Sequence, residues 1–179
     1  SRGRGVKKLC TLDDVKAYAK VATIDFHIQE FIALPNEAGI FYYRLPGEAK
    51  GHVSGVVRKE FLTVVGDGKS TIGQLMQQDK RAILQYDTLR KTLDMKEVLR
   101  PGEIRELVPY GNHARGAKFL DDSHRIDDAL THVIDDFCRQ IPEFHFGRLD
   151  IRYRDWEEFR QGHNFYVIEV NGAGSEPTH

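Results

Sequence analysis

Two segments near the end of the chain, residues 145–154 and 165–171, alternate charged or polar side chains with apolar ones. Successive side chains of a β-strand point to opposite faces, so this period of two predicts two half-buried strands. The segment between them is polar, indicates a short helix and is long enough to return the chain. The sequence therefore predicts an antiparallel strand pair with one charged and one apolar face.

The charged face of this predicted strand pair has the chemistry of a metal site. The alternation places two sets of side chains on it: Arg148, Asp150 and Arg152 from the first strand, and Val167, Glu169 and Asn171 from the second. Two carboxylates and an amide oxygen are hard ligands that suit Mg²⁺ ions holding phosphate oxygens. The glycine-rich residues 172–174 add backbone amides beside them. The alternative is a surface hairpin whose Arg and Asp side chains pair only with each other.

The rest of the chain predicts an α+β fold with a mostly antiparallel sheet flanked by helices. Residues that favour strands occur in runs separated by Pro and Gly turn signals, as expected for antiparallel meanders. In chain order, these runs are 26–34, 40–43, a pair within 52–65 and a short run at 104–108.

Three segments carry helix signals. Thr11 and Thr71 are the expected N-caps of helices that end near Lys20 and Tyr86. Ser123 is the expected cap of the third helix. The apolar face of that helix contains Ile126, Leu130, Val133, Ile134 and Phe137.

Residues 68–71, Gly-Lys-Ser-Thr, follow a predicted strand and open a predicted helix, as a phosphate-binding P-loop does. A P-loop also needs a glycine five positions before its second one, and that position is Thr63. A tight turn followed by a helix cap therefore explains these residues better.

Composition excludes several classes of protein. The 179 residues include 26 basic and 27 acidic side chains and are 40% hydrophobic, which excludes a disordered chain and a strongly basic nucleic-acid binder. No apolar run approaches the roughly 20 residues that cross a bilayer. Cys10 and Cys138 have no disulfide or zinc spacing. We expect a soluble, cytoplasmic protein without nucleic-acid or membrane partners.

Several motifs, taken in chain order, resemble those of ATP-grasp enzymes. Residues 147–152 (GRLDIR) and 167–172 (VIEVNG) resemble the closing metal-binding strands of that superfamily, particularly of D-alanine:D-alanine ligases and cyanophycin synthetase-like ligases. Residues 29–32 look like the adenine-side hinge. Further similarities are found at Glu37, seven residues after Glu30; at 65–72; at Asn112 with Arg115 and Gly116; and at 1–6, which look like part of the glycine-rich loop over the phosphates.

The resemblance implies a role for each matching residue. Gln29, Glu30, Phe31 and Ile32 would meet the adenine of ATP, Glu37 the ribose and Lys59 the phosphates. Asp150, Glu169 and Asn171 would hold Mg²⁺, for which Mn²⁺ could substitute. Arg148 would contact the transferred phosphoryl group, and Arg115 and Asn112 would bind the donor carboxylate.

The resemblance also implies an activity and a domain organisation. The activity is ATP-dependent ligation of a small carboxylate to an amine or amino acid through an acyl-phosphate. Residues 29–179 would be the large ATP-grasp subdomain and 1–28 a remnant of the small lid subdomain, so we expect a fragment that is inactive alone. The alternatives are a small-molecule kinase with the same ATP site, and a non-catalytic nucleotide-binding module. A metal-dependent nuclease or phosphatase is disfavoured by the near-neutral charge. The oligomeric state, including a homo-oligomer, stays open.

Overall fold

A computed structural model of the chain describes residues 5–109, 111 and 115–174. Within these residues, a five-stranded sheet forms the centre of the fold, and every neighbouring pair of its strands is antiparallel. Its strands are β1 (Asn36–Tyr43), β2 (His52–Glu60), β5 (Lys118–Asp121), β6 (Phe146–Tyr153) and β7 (Phe165–Asn171). They lie in the order β5-β2-β1-β6-β7. The predicted α+β fold with a mostly antiparallel sheet flanked by helices is confirmed.

One face of this sheet carries the main hydrophobic core. Every second residue of β1 and β6 points into it, and α4 (Asp128–Cys138) packs on it through Leu130 and Ile134. The short α5 (Trp156–Arg160) adds Phe159 to the same core. Successive side chains of a strand point to opposite faces, so the alternate residues of β1 and β6 lie on the other face of the sheet. That face carries the charged side chains.

A second, smaller core lies under a two-stranded sheet of β3 (Thr63–Val65) and β4 (Ile104–Glu106). Ile72 and Met76 of α2 (Ile72–Gln78) and Leu89 of α3 (Tyr86–Leu89) are buried in it. The predicted capping box is present at Thr71. The helix ends at Gln78 rather than near Tyr86, because the chain turns at Asp79, whose side chain accepts from the next backbone amides.

Two further sequence predictions differ from the structure. The run 26–34 is not a strand within the described residues, since its backbone pairs with no strand there; β1 begins at Asn36 instead. Ser123 does not cap α4: its hydroxyl accepts from Val56 N, and Asp127 caps the helix by accepting from Leu130 N at 2.8 Å.

The first helix, α1 (Leu12–Val21), has the predicted cap at Thr11. It contains no buried residue among those described. None of the helices in the described part of the chain is long and apolar enough to span a membrane.

Candidate functional site

The sheet face opposite the main core carries five charged side chains from its three middle strands. Strand register places them together, because directly opposed residues of an antiparallel pair point to the same face. Glu37 of β1 lies between Lys59 of β2 and Arg152 of β6, and Gly39 lies opposite Asp150. We call this cluster the charged face; its members are Glu37, Lys59, Arg148, Asp150 and Arg152.

Four of these side chains belong to buried residues, which is unusual for ionised groups. Their residues are exposed by only 3% (Glu37), 7% (Lys59), 5% (Asp150) and 5% (Arg152). Lys59 Nζ joins both acids, at 2.9 Å from Glu37 Oε1 and 3.1 Å from Asp150 Oδ2. Buried charges persist only where they are paired in this way.

The two arginines complete the ion pairs from either end. Arg148 Nε lies 2.9 Å from Asp150 Oδ1, and Arg152 Nε lies 3.0 Å from Glu37 Oε2. The charged face therefore holds three cations and two carboxylates. Gly39 leaves room for this arrangement, because a Cβ added there would lie 3.2 Å from Arg148 Cδ and 3.4 Å from Asp150 Oδ1.

The three predicted metal ligands lie on β6 and β7. Asp150 is directly opposite Glu169, and Arg148 is directly opposite Asn171, so all four residues share the charged side of the sheet. Between Asp150 and Ile151 the register shifts, and Ile151 pairs with Val167.

This β-bulge corrects one element of the predicted pattern. Val167 was expected on the same face as Glu169, but it packs against the main core instead. The extra residue in β7, Ile168, reverses the alternation at that point.

The oxygens of Asp150, Glu169 and Asn171 are the donor set predicted for Mg²⁺. Asp150 Oδ1 accepts from Arg148 Nε, and Asp150 Oδ2 contacts Arg148 Nη2 and Lys59 Nζ. These three contacts leave one of the about four lone-pair sites of the carboxylate. Glu169 is exposed, and Asn171 Nδ2 is a buried atom with no hydrogen-bond partner among the described residues. The described residues hold no cluster of three His, Cys, Asp or Glu side chains suited to a metal. Mg²⁺ commonly uses one or two carboxylates plus substrate phosphates, which this set could supply.

The predicted hinge residues lie beside the outer edge of β7. Gln29, Glu30 and Ile32 line an open cleft of about 230 Å³ whose other wall is 166–168. Gln29 Nε2 donates to Ile168 O at 3.5 Å. Phe31 is exposed by 41%, and Lys8 Nζ lies 3.9 Å from the centre of its ring. The structure therefore brings three of the four hinge residues, all except Phe31, together at one cleft next to the strand that carries Glu169.

Glu37, the predicted ribose ligand, lies away from that cleft in the buried cluster. Besides its two ion pairs, it accepts from Gly111 N at 3.1 Å. Asn112, predicted to bind the donor carboxylate, lies outside the described residues. Arg115 is half-buried beside Gly116, whose carbonyl oxygen accepts from Arg81.

Sequence reasoning missed the importance of Arg152, Gly39 and Gly111. Arg152 was placed on the correct face but received no role. A signal for it existed, since the second arginine of the predicted charged face also needs an acidic partner. Near Arg152, burial raises the pKa of Glu106. The positive charges of Arg152 and Lys8 partly oppose this rise.

Comparison with known proteins gives little direct support. No family model and no curated protein matches the chain. Among solved structures, the chain is similar to a bifunctional glutathione synthetase from Pasteurella multocida, at 13% identity and a TM-score of 0.46. The match covers 77% of this chain and 20% of that one, so the chain spans about a fifth of that protein's length.

Proposed function

We propose that the chain is the nucleotide-binding part of an ATP-grasp carboxylate-amine ligase. Such an enzyme uses ATP to join a small carboxylic acid to an amine or amino acid. The observation that carries the proposal is the register of β6 and β7, which pairs Asp150 with Glu169 and Arg148 with Asn171. These are the strands whose sequence resembles the closing metal-binding strands of that superfamily.

The cleft beside β7 is the proposed adenine site. Backbone groups of 29–32 would meet the edge of the ring, and Glu30 would accept from its amino group. The cleft volume of about 230 Å³ is below the roughly 300–1,000 Å³ of a complete ligand pocket, so the cleft would take the base and not the whole nucleotide. The phosphates would then extend toward the charged face.

Lys59 and Arg148 are the proposed phosphate ligands; Lys59 contacts Glu37 and Asp150, which leaves one of its three N–H donors for a phosphate oxygen. The Arg148 fork can hold two oxygens of a phosphoryl group, while Lys59 acts as a point charge. Asp150, Glu169 and Asn171 would hold Mg²⁺, which when bound supplies neutralisation of the phosphate charge.

The proposed reaction needs no side-chain nucleophile. An oxygen of the substrate carboxylate attacks the γ-phosphorus, and ADP leaves with the bonding electrons. The amine then attacks the carbonyl carbon of the acyl-phosphate, loses a proton and expels phosphate. The chain contributes position and charge, with Arg148 on the transferred group. Asn112 and Arg115 remain the proposed ligands of the donor carboxylate.

The ribose role of Glu37 is not part of this proposal. Its two oxygens already contact Lys59, Arg152 and the Gly111 amide. A ribose hydroxyl would have to displace one of these buried partners. That role stays a prediction from the resemblance.

The proposal is tested first by binding and then by products. Calorimetry measures MgATP binding to the chain, and the protein from the complete reading frame is incubated with ATP, Mg²⁺, carboxylic acids and amino acids. The expected products, identified by mass spectrometry, are ADP, phosphate and a new amide. ADP with a phosphorylated acceptor would indicate the kinase, and binding without turnover would indicate the non-catalytic module. Absence of MgATP binding contradicts the proposal.

Glu169→Gln gives the sharpest variant, because Glu169 is exposed and its loss leaves the buried ion pairs intact. In the protein from the complete reading frame, we expect this substitution to lower turnover by about 100- to 1,000-fold, as for loss of one group that stabilises transition-state charge. The matched control is Glu143→Gln, an exposed acid in the turn before β6. Equal turnover in the two variants would remove Glu169 from the mechanism.

A further inference from the structure

The Arg152 side chain contacts three separate segments of the chain while its residue is almost fully buried. Besides its ion pair with Glu37, its guanidinium donates to Leu34 O at 2.9 Å and to Pro109 O at 2.6 Å. Its centre lies 4.5 Å from the ring of Phe61. A planar fork with five donors can make such divergent contacts, whereas a lysine ammonium cannot reproduce them.

Glu37 holds the same region from the other side of the ion pair. Its Oε2 accepts from both Arg152 Nε and Gly111 N, and its Oε1 contacts Lys59 Nζ. A Cβ added at Gly111 would lie 2.6 Å from Lys59 Cδ and 2.8 Å from Glu37 Oε1. Glycine is therefore required for this approach of the backbone, and residues 109 and 111 are both tied to the pair.

We propose that Glu37 and Arg152 are a positioning pair that fixes two segments of the nucleotide site to the sheet. One segment is the chain that leads from the hinge to Leu34, and the other contains Pro109 and Gly111, which precede Asn112 and Arg115 in the sequence. Through Lys59, the pair also sets the position of Asp150. The catalytic part of this inference rests on the proposed function, but the contacts do not.

The energetics of buried ion pairs favour a positioning role over a purely stabilising one. Desolvation offsets much of the attraction between buried charges, so apolar replacements of a whole pair are often neutral or stabilising. What apolar side chains cannot supply is the set of directed hydrogen bonds to Leu34, Pro109 and Gly111. The pair thus fixes geometry at little gain in stability.

Amide hydrogen exchange in the ligand-free chain tests the positional part of the proposal. Arg152→Lys keeps the charge but loses the fork, and we expect at least tenfold faster exchange at Gly111, whose amide donates to Glu37, and a changed ¹³C chemical shift of the Leu34 carbonyl, which loses its donor. Exchange of the β6 amides, such as that of Leu149, should stay within twofold. The matched control is Arg154→Lys, an exposed arginine two residues further along. Wild-type exchange at Gly111 together with an unchanged Leu34 carbonyl resonance in Arg152→Lys overturns the proposal.

The double variant Glu37→Met/Arg152→Met separates positioning from general stability. We expect its melting temperature to exceed that of Glu37→Met alone, while exchange at Gly111 stays at least tenfold faster than in the wild type. Recovery of slow exchange together with the melting temperature would overturn the positioning role.

Ligand assays then test the catalytic part. In an active protein, Arg152→Lys should raise the KM for ATP and lower kcat, each by about tenfold, and Arg154→Lys should change neither. Unchanged KM and kcat would overturn the catalytic part. Failure of the wild type to bind MgATP would contradict the proposed function but leave the exchange result as it stands, so the two failures are distinguishable.

Discussion

Asp150 and Glu169 lie directly opposite each other on β6 and β7, yet neutralising them should affect the fold differently. The sequence alone favours an equal outcome, in which each amide variant weakens a metal site and spares the fold. The structure changes that expectation for one of them. Asp150 is buried and paired with Lys59 and Arg148, whereas Glu169 is exposed.

The size of the difference follows from these partners. Removing one partner of a buried ion pair costs about 3–5 kcal/mol, because the remaining charge is left without compensation. For a chain of this size, each kcal/mol lost from the free energy of unfolding lowers the melting temperature by about 2–4 °C. Asp150→Asn should therefore lower the melting temperature by about 6–20 °C. An exposed substitution such as Glu169→Gln stays within about 0.5 kcal/mol, or roughly 2 °C.

Thermal unfolding followed by circular dichroism, without metal or nucleotide, measures both variants. A third variant, Arg148→Gln/Asp150→Asn, removes one cation with the carboxylate and should recover part of the lost stability. Equal shifts for Asp150→Asn and Glu169→Gln would refute the ion-pair reasoning. So would a double variant that is no more stable than Asp150→Asn alone.

Three further outcomes are expected elsewhere in the chain. Gly39→Ala should lower stability by about 1–3 kcal/mol in urea unfolding, since the added methyl group crowds Arg148. Hydrogen bonds from Ser70 and Lys69 lower the pKa of Asp67 to about 2, so its contribution to the free energy of unfolding is present above pH 3.8 and is lost as the pH falls toward 2. Asp67→Asn should therefore make the free energy of unfolding, measured in urea, depend less on pH in this range. Burial raises the pKa of Cys138 to about 12, so iodoacetamide at pH 8 should add one label, at exposed Cys10, by mass spectrometry.

Local signals in the sequence predicted most of the elements around the site. The alternation at 145–154 and 165–171 predicted β6 and β7, and the polar segment between them predicted α5. The caps at Thr11 and Thr71 were also predicted, because a capping box is formed by residues only three positions apart.

Predictions that depended on distant partners were less successful. The β7 bulge reverses the face of Val167, and no residue within β7 signals it. Ser123 is as good a cap as Asp127 in isolation, but its hydroxyl is used by the amide of Val56 in β2. The strand at 26–34 failed for the same reason, since strand propensity does not supply a neighbouring strand.

The burial of Glu37 and Arg152 shows why the charged face could be placed but not interpreted from sequence. Alternation assigns Arg152 to a polar face, and a polar face is ordinarily solvated, whereas Glu37 lay outside any predicted strand. Here, Pro109 and Gly111 cover the face and make one hydrogen bond each to the pair. A face evolved for stability alone would carry apolar side chains under such a cover, since they cost less to bury. Under the proposed function, the cations of this face would meet the anionic ligand, and Glu169 with Asp150 would meet its counter-ion.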